Sequence, residues 1–177
     1  MPDPSFRPRQ PMSIRVLASV IARADRFLVG RRPAHKRHGG LWEFPGGKVE
    51  AGESDLAAVR RELAEELAVR VREVGEVAFS VRDPGSEFVI HFLPVEIEGE
   101  PRSIEHDELR WASVRELRAL PLAPSDHRFV REGLEAGSAP ALPRGQGAPT
   151  LRGESRGGLP PDHDPPDHDP PDTDRSS

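Results

Sequence analysis

Within residues 47–69, a glycine turn is followed at fixed distances by four glutamates and one arginine, namely Glu53, Arg61, Glu62, Glu65 and Glu66. Ser54 is a residue type that caps helices, and apolar side chains follow it at the three- and four-residue spacing of one helix face. These apolar residues are Leu56, Val59, Leu63 and Leu67. The pattern predicts an amphipathic helix that begins at Asp55 and buries this stripe.

Three acidic side chains of the predicted helix, Glu62, Glu65 and Glu66, fall within an arc of about 100° beside the apolar stripe. Like charges at this spacing repel, so the helix gains nothing from them unless a cation compensates. Oxygen ligands suit Mg²⁺ or Mn²⁺ better than Zn²⁺, and Mg²⁺ is usually bound by a few carboxylates together with substrate phosphates and waters. The plain alternative is a solvated acidic helix face.

The residues before this helix decide between the two alternatives. A short apolar strand over residues 41–44 runs into Pro45, Gly46 and Gly47. Paired glycines let the backbone turn tightly and approach a ligand closely. Strand, glycine turn and acidic helix therefore form one unit, and this unit favours a metal-binding phosphate site over a solvated face.

The unit resembles the Nudix box, G-x5-E-x7-R-E-U-x-E-E-x-G-U, where U is aliphatic. The matching residues are Gly47, Glu53, Arg61, Glu62, Leu63, Glu65, Glu66 and Val69. One position departs, because Ala68 stands where the family has its last glycine. A glycine there would suit a left-handed helix cap, which alanine adopts at a cost of about 1 to 2 kcal/mol.

This resemblance implies an α/β fold, a Nudix-type α/β/α sandwich with a mixed β-sheet, over residues 13–136. The metal ligands that it implies are the Gly46 carbonyl and the carboxylates of Glu53, Glu62, Glu65 and Glu66, with Glu53 in a supporting place. Arg61 is assigned to orienting a neighbouring glutamate.

The run L-W-E-F-P-G-G-K-V-E over residues 41–50 is similar to the MutT-like branch, whose members hydrolyse nucleoside triphosphates. In that branch a glutamate on a later loop joins the metal site, and Glu105 is the candidate for that position. The alternative for Glu105 is an ordinary exposed loop residue. Either Glu62 or Glu105 would accept the proton of the attacking water, and the sequence leaves this choice open.

Three further residues are candidates for substrate contact. Arg32 lies in a basic run over residues 31–37, which is either solvated or counters triphosphate charge. Phe44 either stacks on the base or packs in the core. Asp126 lies where guanine-selective members often have asparagine; ionised, it would accept from the cytosine amine, and protonated it could donate to an oxidised guanine. Asp126 could also simply cap the final helix.

The other elements follow from residue alternation and helical spacing. Strands are predicted over residues 13–23, 27–32, 71–82, 87–98 and 108–112, with the first two forming a hairpin or lying adjacent. Helices are predicted over residues 114–120 and 125–136.

Large apolar side chains are concentrated between residues 13 and 136. Residues 1–12 and 137–177 are rich in proline, glycine and charge, and we expect both segments to be disordered. The end of the chain repeats P-D-H-D-P, where His163 and His168 could bind a transition metal weakly. A solvated acidic tail is the simpler interpretation, and no partner is assigned to it.

Charge and composition exclude several classes of protein. The net charge of −5, with scattered basic residues, argues against binding of polymeric nucleic acid. The absence of cysteine excludes disulfides and thiolate metal sites. The longest aliphatic run, over residues 16–22, is too short to span a bilayer, and no signal-peptide core is recognisable. We therefore expect no membrane partner and a cytoplasmic location.

Taken with the resemblance, these residues imply an enzyme that hydrolyses a (deoxy)nucleoside triphosphate to the monophosphate and pyrophosphate with Mg²⁺, or with Mn²⁺. The implied role is nucleotide-pool sanitation, and with it DNA repair, on an 8-oxo-dGTP or CTP/dCTP-type substrate. One alternative is hydrolysis of a diphosphate-bridged compound such as ADP-ribose or a dinucleoside polyphosphate. The other is a non-catalytic nucleotide-sensing module, which the complete set of box carboxylates disfavours.

Overall fold

The computed structural model describes residues 13–82 and 86–134. The strands in these ranges are β1 (Ile14–Val20), β2 (Ala22–Arg23), β3 (Arg26–Arg31), β4 (Trp42–Glu43), β5 (Gly46–Lys48), β6 (Arg70–Val74), β7 (Phe79–Arg82), β8 (Phe88–Glu98) and β9 (Glu108–Ser113). The helices are α1 (Asp55–Leu67), α2 (Val114–Ala119) and α3 (Pro124–Arg128), and a π-helical turn (Phe129–Gly133) follows α3 directly. The predicted tails at 1–12 and 137–177, which include His163 and His168, lie outside the described residues.

Two sheets form the centre of the fold. In the five-stranded sheet β1 runs parallel to β8 and antiparallel to β5, while β6 and β7 both pair antiparallel with β8. In the four-stranded antiparallel sheet β3 pairs with β2, β4 and β9. The hairpin predicted near the N-terminus is formed by β2 and β3, whereas β1 belongs to the other sheet.

Helices cover both faces of the sheets. Leu17 of β1 and Leu93 of β8 pack in one apolar cluster with α1. The next residue of β1, Ala18, and the preceding residue of β8, Phe92, pack in a second cluster with α2 and the π-helical turn. Because neighbouring strand residues point to opposite faces, the same strands contribute to both layers. This arrangement confirms the predicted α/β/α sandwich with a mixed sheet.

The single strand predicted over residues 71–82 is wrong, because the chain forms β6 and β7 with a break at residues 75–78. Opposite this break lies Pro94 of β8, which has no N–H to donate to a neighbouring strand. The Gly75 N–H instead donates to the Pro94 carbonyl at 2.8 Å. A proline in the partner strand therefore interrupts the pairing.

Helix α1 begins at Asp55 as predicted, with the Ser54 hydroxyl accepting from the Ala57 N–H at 3.2 Å. Val59, Leu63 and Leu67 are buried. The fourth predicted stripe residue, Leu56, is 39% exposed, so the predicted stripe is buried at three of its four positions.

The end of α1 adopts the left-handed conformation despite the missing glycine. Ala68 has φ 54° and ψ 36°, and its N–H reaches the carbonyls of Leu63 and Ala64. The final helical segment also differs in type from the prediction, because α3 is a short α-helix that continues as a π-helical turn. Among the helices of the described ranges, none is long and apolar enough to cross a membrane.

Candidate active site

The glycine turn is formed by backbone that only glycine can adopt. Gly46 has φ 145°, and a Cβ there would lie 2.1 Å from the Leu17 carbonyl oxygen. The Ser19 N–H donates to the Pro45 carbonyl at 2.8 Å, and the alternation of antiparallel pairing then turns the polar groups of Gly46 away from β1. The Gly46 N–H accordingly donates to Glu66 Oε2 at 2.9 Å.

The second glycine lies directly under a box glutamate. A Cβ added to Gly47 would come within 2.2 Å of the Glu62 carboxyl carbon. Glu62 and Glu66 stand one turn apart on α1, so both carboxylates reach the glycine turn. The local sequence thus brings the carboxylates of Glu62 and Glu66 close to the backbone carbonyl of Gly46.

Arg61 holds two of the box glutamates. Its Nε and Nη2 donate to the two oxygens of Glu53 at 3.1 and 2.9 Å, and its Nη1 donates to Glu62 Oε1 at 2.7 Å. Nη2 also donates to the Lys48 carbonyl at 3.0 Å. The bond to Glu53 and then that to Glu62 raise the pKa of Arg61, and the Arg61 bond lowers the pKa of Glu53. Arg61 therefore holds the side chains of Glu53 and Glu62, while its orienting role in the reaction stays a prediction.

Glu66 is a buried acid. Burial is the main reason that its pKa is raised to about 7, and the carboxylates of Glu43 and Glu62 act in the same direction. His106 and the bond from the Gly46 N–H oppose this rise. A divalent cation beside Glu66 would favour its ionised form.

The donors at the glycine turn fit a hard divalent cation. Glu62, Glu66 and the Gly46 carbonyl offer oxygen atoms alone, the ligand type of Mg²⁺ and Mn²⁺. Within residues 13–82 and 86–134, no three acidic or histidine side chains already surround a common point. Glu53 has both oxygens bound by Arg61, and Glu65 is 56% exposed and 3.8 Å from Arg61. Phosphates and waters would have to complete the coordination.

Glu105 lies on the loop between β8 and β9, as predicted. Its carboxylate accepts from Lys36 Nζ at 2.7 Å, and this bond lowers the pKa of Glu105. The loop is attached to the end of α1, because the Ile104 N–H donates to the Glu66 carbonyl at 3.0 Å. Glu105 therefore stands near the glycine turn, paired with a cation of the basic loop.

A cavity of about 480 Å³ joins these groups. Its lining includes the glycine turn with Glu62 and Glu66, here called the acidic wall, and the basic loop with Arg32 and Lys36, here called the basic wall. Asp126 lies at another part of the same lining. The volume of the cavity falls within the range of small-molecule binding sites.

Asp126 is a buried acid that holds the backbone beside the glycine turn. Its Oδ1 accepts from the Phe44 N–H at 2.8 Å. Burial raises the pKa of Asp126 to about 8, so the carboxyl is mainly protonated at neutral pH and can both donate and accept. Its proposed role as a helix cap is wrong, because the N-cap of α3 is Ala123 and Asp126 lies within the first turn.

The other two predicted substrate residues are already engaged. Phe44 is 3% exposed, and its ring meets Phe129 edge-on at 5.3 Å, so the core-packing alternative describes its contacts. Phe44 also belongs to the lining of the cavity, and its contact with a base stays a prediction. The Arg32 guanidinium binds the Glu43 carboxylate and donates from Nε to the Arg37 carbonyl at 2.7 Å.

Two residues that contact each other beside the site, His106 and Glu43, were not among the predicted site residues. The side chain of His106 is 2% exposed, and its Nε2 lies 3.3 Å from Glu43 Oε1. Glu43 stands inside the run that resembles the MutT-like branch, which is its one hint. His106 follows Glu105 in an irregular loop, where residue spacing gives no information on contacts across the fold.

An α/β/α sandwich that sets a glycine turn against a glutamate-bearing helix is the architecture of a Nudix hydrolase. A family model described as "NUDIX domain" matches residues 12–133. The match spans more than half of the chain, and the chain belongs to the Nudix family.

Named proteins similar to this chain agree with the family assignment. The CTP pyrophosphohydrolase of Escherichia coli (strain K12) is 41% identical over 117 residues, which cover 64% of this chain and 85% of that protein. The 8-oxo-dGTP diphosphatase of the same strain is 32% identical over 108 residues, covering 60% and 84%. The crystal structure of the MutT NUDIX hydrolase from Burkholderia pseudomallei matches with a TM-score of 0.61 and 28% identity, covering 69% and 98%.

Proposed function

We propose that this Nudix hydrolase converts a nucleoside or deoxynucleoside triphosphate to the monophosphate and pyrophosphate, with Mg²⁺ as its cofactor and Mn²⁺ as a substitute. The observation that carries the proposal is the single cavity that joins the carboxylates at the glycine turn, the basic loop and the buried Asp126. The similarity to a CTP pyrophosphohydrolase and an 8-oxo-dGTP diphosphatase of Escherichia coli supports a substrate from the nucleotide pool.

The phosphate end of the substrate belongs between the two charged walls. Glu62, Glu66 and the Gly46 carbonyl would hold the metal ion, which when bound neutralises phosphate charge and polarises a water molecule. Arg32 and Lys36, which line the same cavity, would contact phosphate oxygens. Acidic and basic side chains in one cavity suit a substrate that brings several negative charges together with a divalent cation.

In the proposed reaction a water oxygen attacks the β-phosphorus, and the bond from that phosphorus to the oxygen bridging to the α-phosphorus breaks. The electron pair leaves with the nucleoside monophosphate, the water oxygen remains in pyrophosphate, and Glu62 or Glu105 accepts the water's proton. Arg61 keeps Glu62 fixed over Gly47 during this step. Positioning and charge neutralisation supply most of the rate.

The nucleobase would bind at Asp126. A protonated carboxyl offers a donor and an acceptor side by side, which matches an adjacent donor and acceptor on a base edge. Guanine and cytosine both present such a pair, as adenine and uracil also do, and the similarity to a CTP pyrophosphohydrolase and an 8-oxo-dGTP diphosphatase favours the first two. We therefore propose 8-oxo-dGTP and CTP or dCTP as the substrates to test first.

The domain plan follows the same proposal. Residues 13–136 would form the hydrolase domain, and the family match over residues 12–133 supports these bounds. Disordered segments at 1–12 and 137–177, and a cytoplasmic location, remain predictions.

A substrate panel tests the proposed function. The enzyme is incubated with Mg²⁺ in ¹⁸O-labelled water and one of six compounds: CTP, dCTP, dGTP, 8-oxo-dGTP, ADP-ribose or a dinucleoside tetraphosphate. The products are separated, and mass spectrometry locates the label. We expect a triphosphate to yield its monophosphate and labelled pyrophosphate. Cleavage confined to the diphosphate-bridged compounds would overturn the substrate, label in the monophosphate would overturn the β-attack, and binding without product would indicate the sensing module. A Glu76→Gln variant, exposed in the loop between β6 and β7, serves as the control for the Glu62→Gln variant.

A further inference from the structure

His106 is a buried imidazole behind the basic wall of the cavity. Its ring lies against Gly30, where an added Cβ would come within 2.4 Å of it. Nδ1 has no hydrogen-bond partner among the residues the structure describes, so the contact of Nε2 with Glu43 at 3.3 Å is the polar interaction that the ring makes there. Burying a ring that only fills space would cost less free energy if the ring had no nitrogen atoms, because a buried polar atom without a hydrogen bond is unfavourable. The imidazole therefore points to a task that involves Glu43.

Glu43 has a separate partner on each carboxylate oxygen. Oε1 faces His106, and Oε2 is bound by the Arg32 guanidinium. Its charge also raises the pKa of both Glu66 and Asp126, so the three carboxyl groups act on one another electrostatically. If one of its oxygens lost its partner, the Glu43 carboxylate would be held from one side only and could rotate away from its present place.

Arg32 depends on Glu43 for its place in the cavity. The guanidinium has two anchors, the Glu43 carboxylate and the Arg37 carbonyl. The bond to the carboxylate is charge-assisted and therefore the stronger of the two. Loss of the Glu43 orientation would leave Arg32 tethered by a single bond in a loop that is otherwise exposed.

We propose that His106 is a positioning residue for substrate binding, which fixes the Glu43 carboxylate and through it holds Arg32 toward the substrate. The proposal rests on the proposed function in one respect, that the group Arg32 receives is a nucleotide phosphate. His106 touches no reacting atom in this arrangement. Its effect falls on binding, because Arg32 serves the substrate equally before and during the chemical step.

The kinetic test compares substitutions that keep or remove the donor. His106→Phe keeps a ring and removes the donor, whereas the amide of His106→Gln can donate near the position of Nε2. With the best triphosphate of the panel, we expect H106F to raise KM about tenfold, the value of a lost charge-assisted hydrogen bond, with kcat within about twofold. H106Q should stay within about threefold of the wild-type KM. In a Glu43→Gln background H106F should raise KM by less than about twofold, since the connection from His106 through the Glu43 carboxylate to Arg32 is already lost.

The matched control is His91→Phe on β8, whose imidazole bonds Ser80 at 2.8 Å and does not line the cavity. A merely structural role for His106 would lower kcat and thermal stability alike in H106F and H106Q. That outcome, or an additive effect in the Glu43→Gln background, would overturn the proposal. If H106F does not fold, His106→Met takes its place, because it also lacks a donor but is flexible enough to repack.

A second measurement needs no substrate. The Nε–H of Arg32, which donates to the Arg37 carbonyl, is followed by ¹⁵N NMR and assigned with an Arg32→Lys variant. We expect its exchange with water to be at least about tenfold faster in H106F and in Glu43→Gln, and near the wild-type rate in H106Q. Unchanged exchange in H106F would overturn the proposal. If the wild type cleaves no triphosphate, the proposed function fails, but this exchange result still decides whether His106 positions Arg32.

Discussion

Replacing Ala68 with glycine should stabilise the fold. Ala68 ends α1 with φ 54° and ψ 36°, a backbone conformation in which the alanine Cβ is crowded by the following carbonyl. The side chain is exposed, so the substitution removes no packing. The cap hydrogen bonds to Leu63 and Ala64 come from the backbone and remain.

The size of the effect follows from two opposing contributions. Relief of the left-handed conformation contributes about 1 to 2 kcal/mol. Glycine also lowers stability by about 0.4 to 1 kcal/mol, because it gives the unfolded chain greater conformational entropy. We expect a net gain of about 0.5 to 1 kcal/mol, or a rise in Tm of about 2 to 4 °C for a domain of this size.

The measurement is denaturant unfolding of Ala68→Gly beside Ala64→Gly. Ala64 is exposed inside the same helix, where glycine should destabilise by about 1 kcal/mol. The same chemical change one turn apart therefore has opposite predicted signs. A loss of stability in Ala68→Gly, of the size seen in Ala64→Gly, would refute the left-handed cap.

Three other substitutions have definite expected outcomes. Gly47→Ala should displace the Glu62 carboxylate and lower kcat at least tenfold with little change in Tm, which thermal unfolding and steady-state kinetics check together. Arg61→Lys loses the two-point bond to Glu53, and we expect kcat to fall while Mg²⁺ dependence shifts to higher concentration. Asp126 has a folded pKa of about 8 against an unfolded value near 3.8, so the folded chain retains a proton across this window and the free energy of unfolding falls as pH rises through it. Asp126→Asn should flatten that fall in unfolding experiments between pH 5 and about 8, and an unchanged slope would contradict the pKa.

Helix α1 and its glutamates could be predicted because their signals are local. Capping at Ser54 and the apolar spacing fix where the helix begins and which face is buried, independently of the rest of the fold. The exception is Leu56, which is 39% exposed although it has the spacing of the buried stripe, because burial depends on contacts with the rest of the fold. Local spacing predicts an element and its orientation, but not the extent of its neighbour.

The strands were harder to predict because pairing depends on the partner. Gly75 is the one local sign of the break between β6 and β7 within residues 71–82, and the break lies opposite Pro94 of another strand. Whether β1 pairs with β3 or with another strand likewise depends on the strands available, and β1 pairs with β8 over seven residues. Contacts remote in sequence set these outcomes.

The role of single side chains in the cavity depended on tertiary contacts. The sequence is compatible with Phe44 either stacking on a base or packing in the core, and the contacts of its ring with Phe92 and Phe129 come from the tertiary fold. The bond between Asp126 and the Phe44 N–H joins residues that are far apart in the chain. The contact of His106 with Glu43 is equally remote and has no pattern of its own.

The most direct test of the account is the turnover of Glu62→Gln in saturating Mg²⁺, with Glu76→Gln as the control. The substitution preserves the size of the side chain over Gly47 and removes its charge. If the carboxylates at the glycine turn drive cleavage of the phosphoanhydride bond, kcat should fall at least about a hundredfold while the control keeps wild-type turnover. A Glu62→Gln enzyme that works at nearly the wild-type rate would contradict the proposed site.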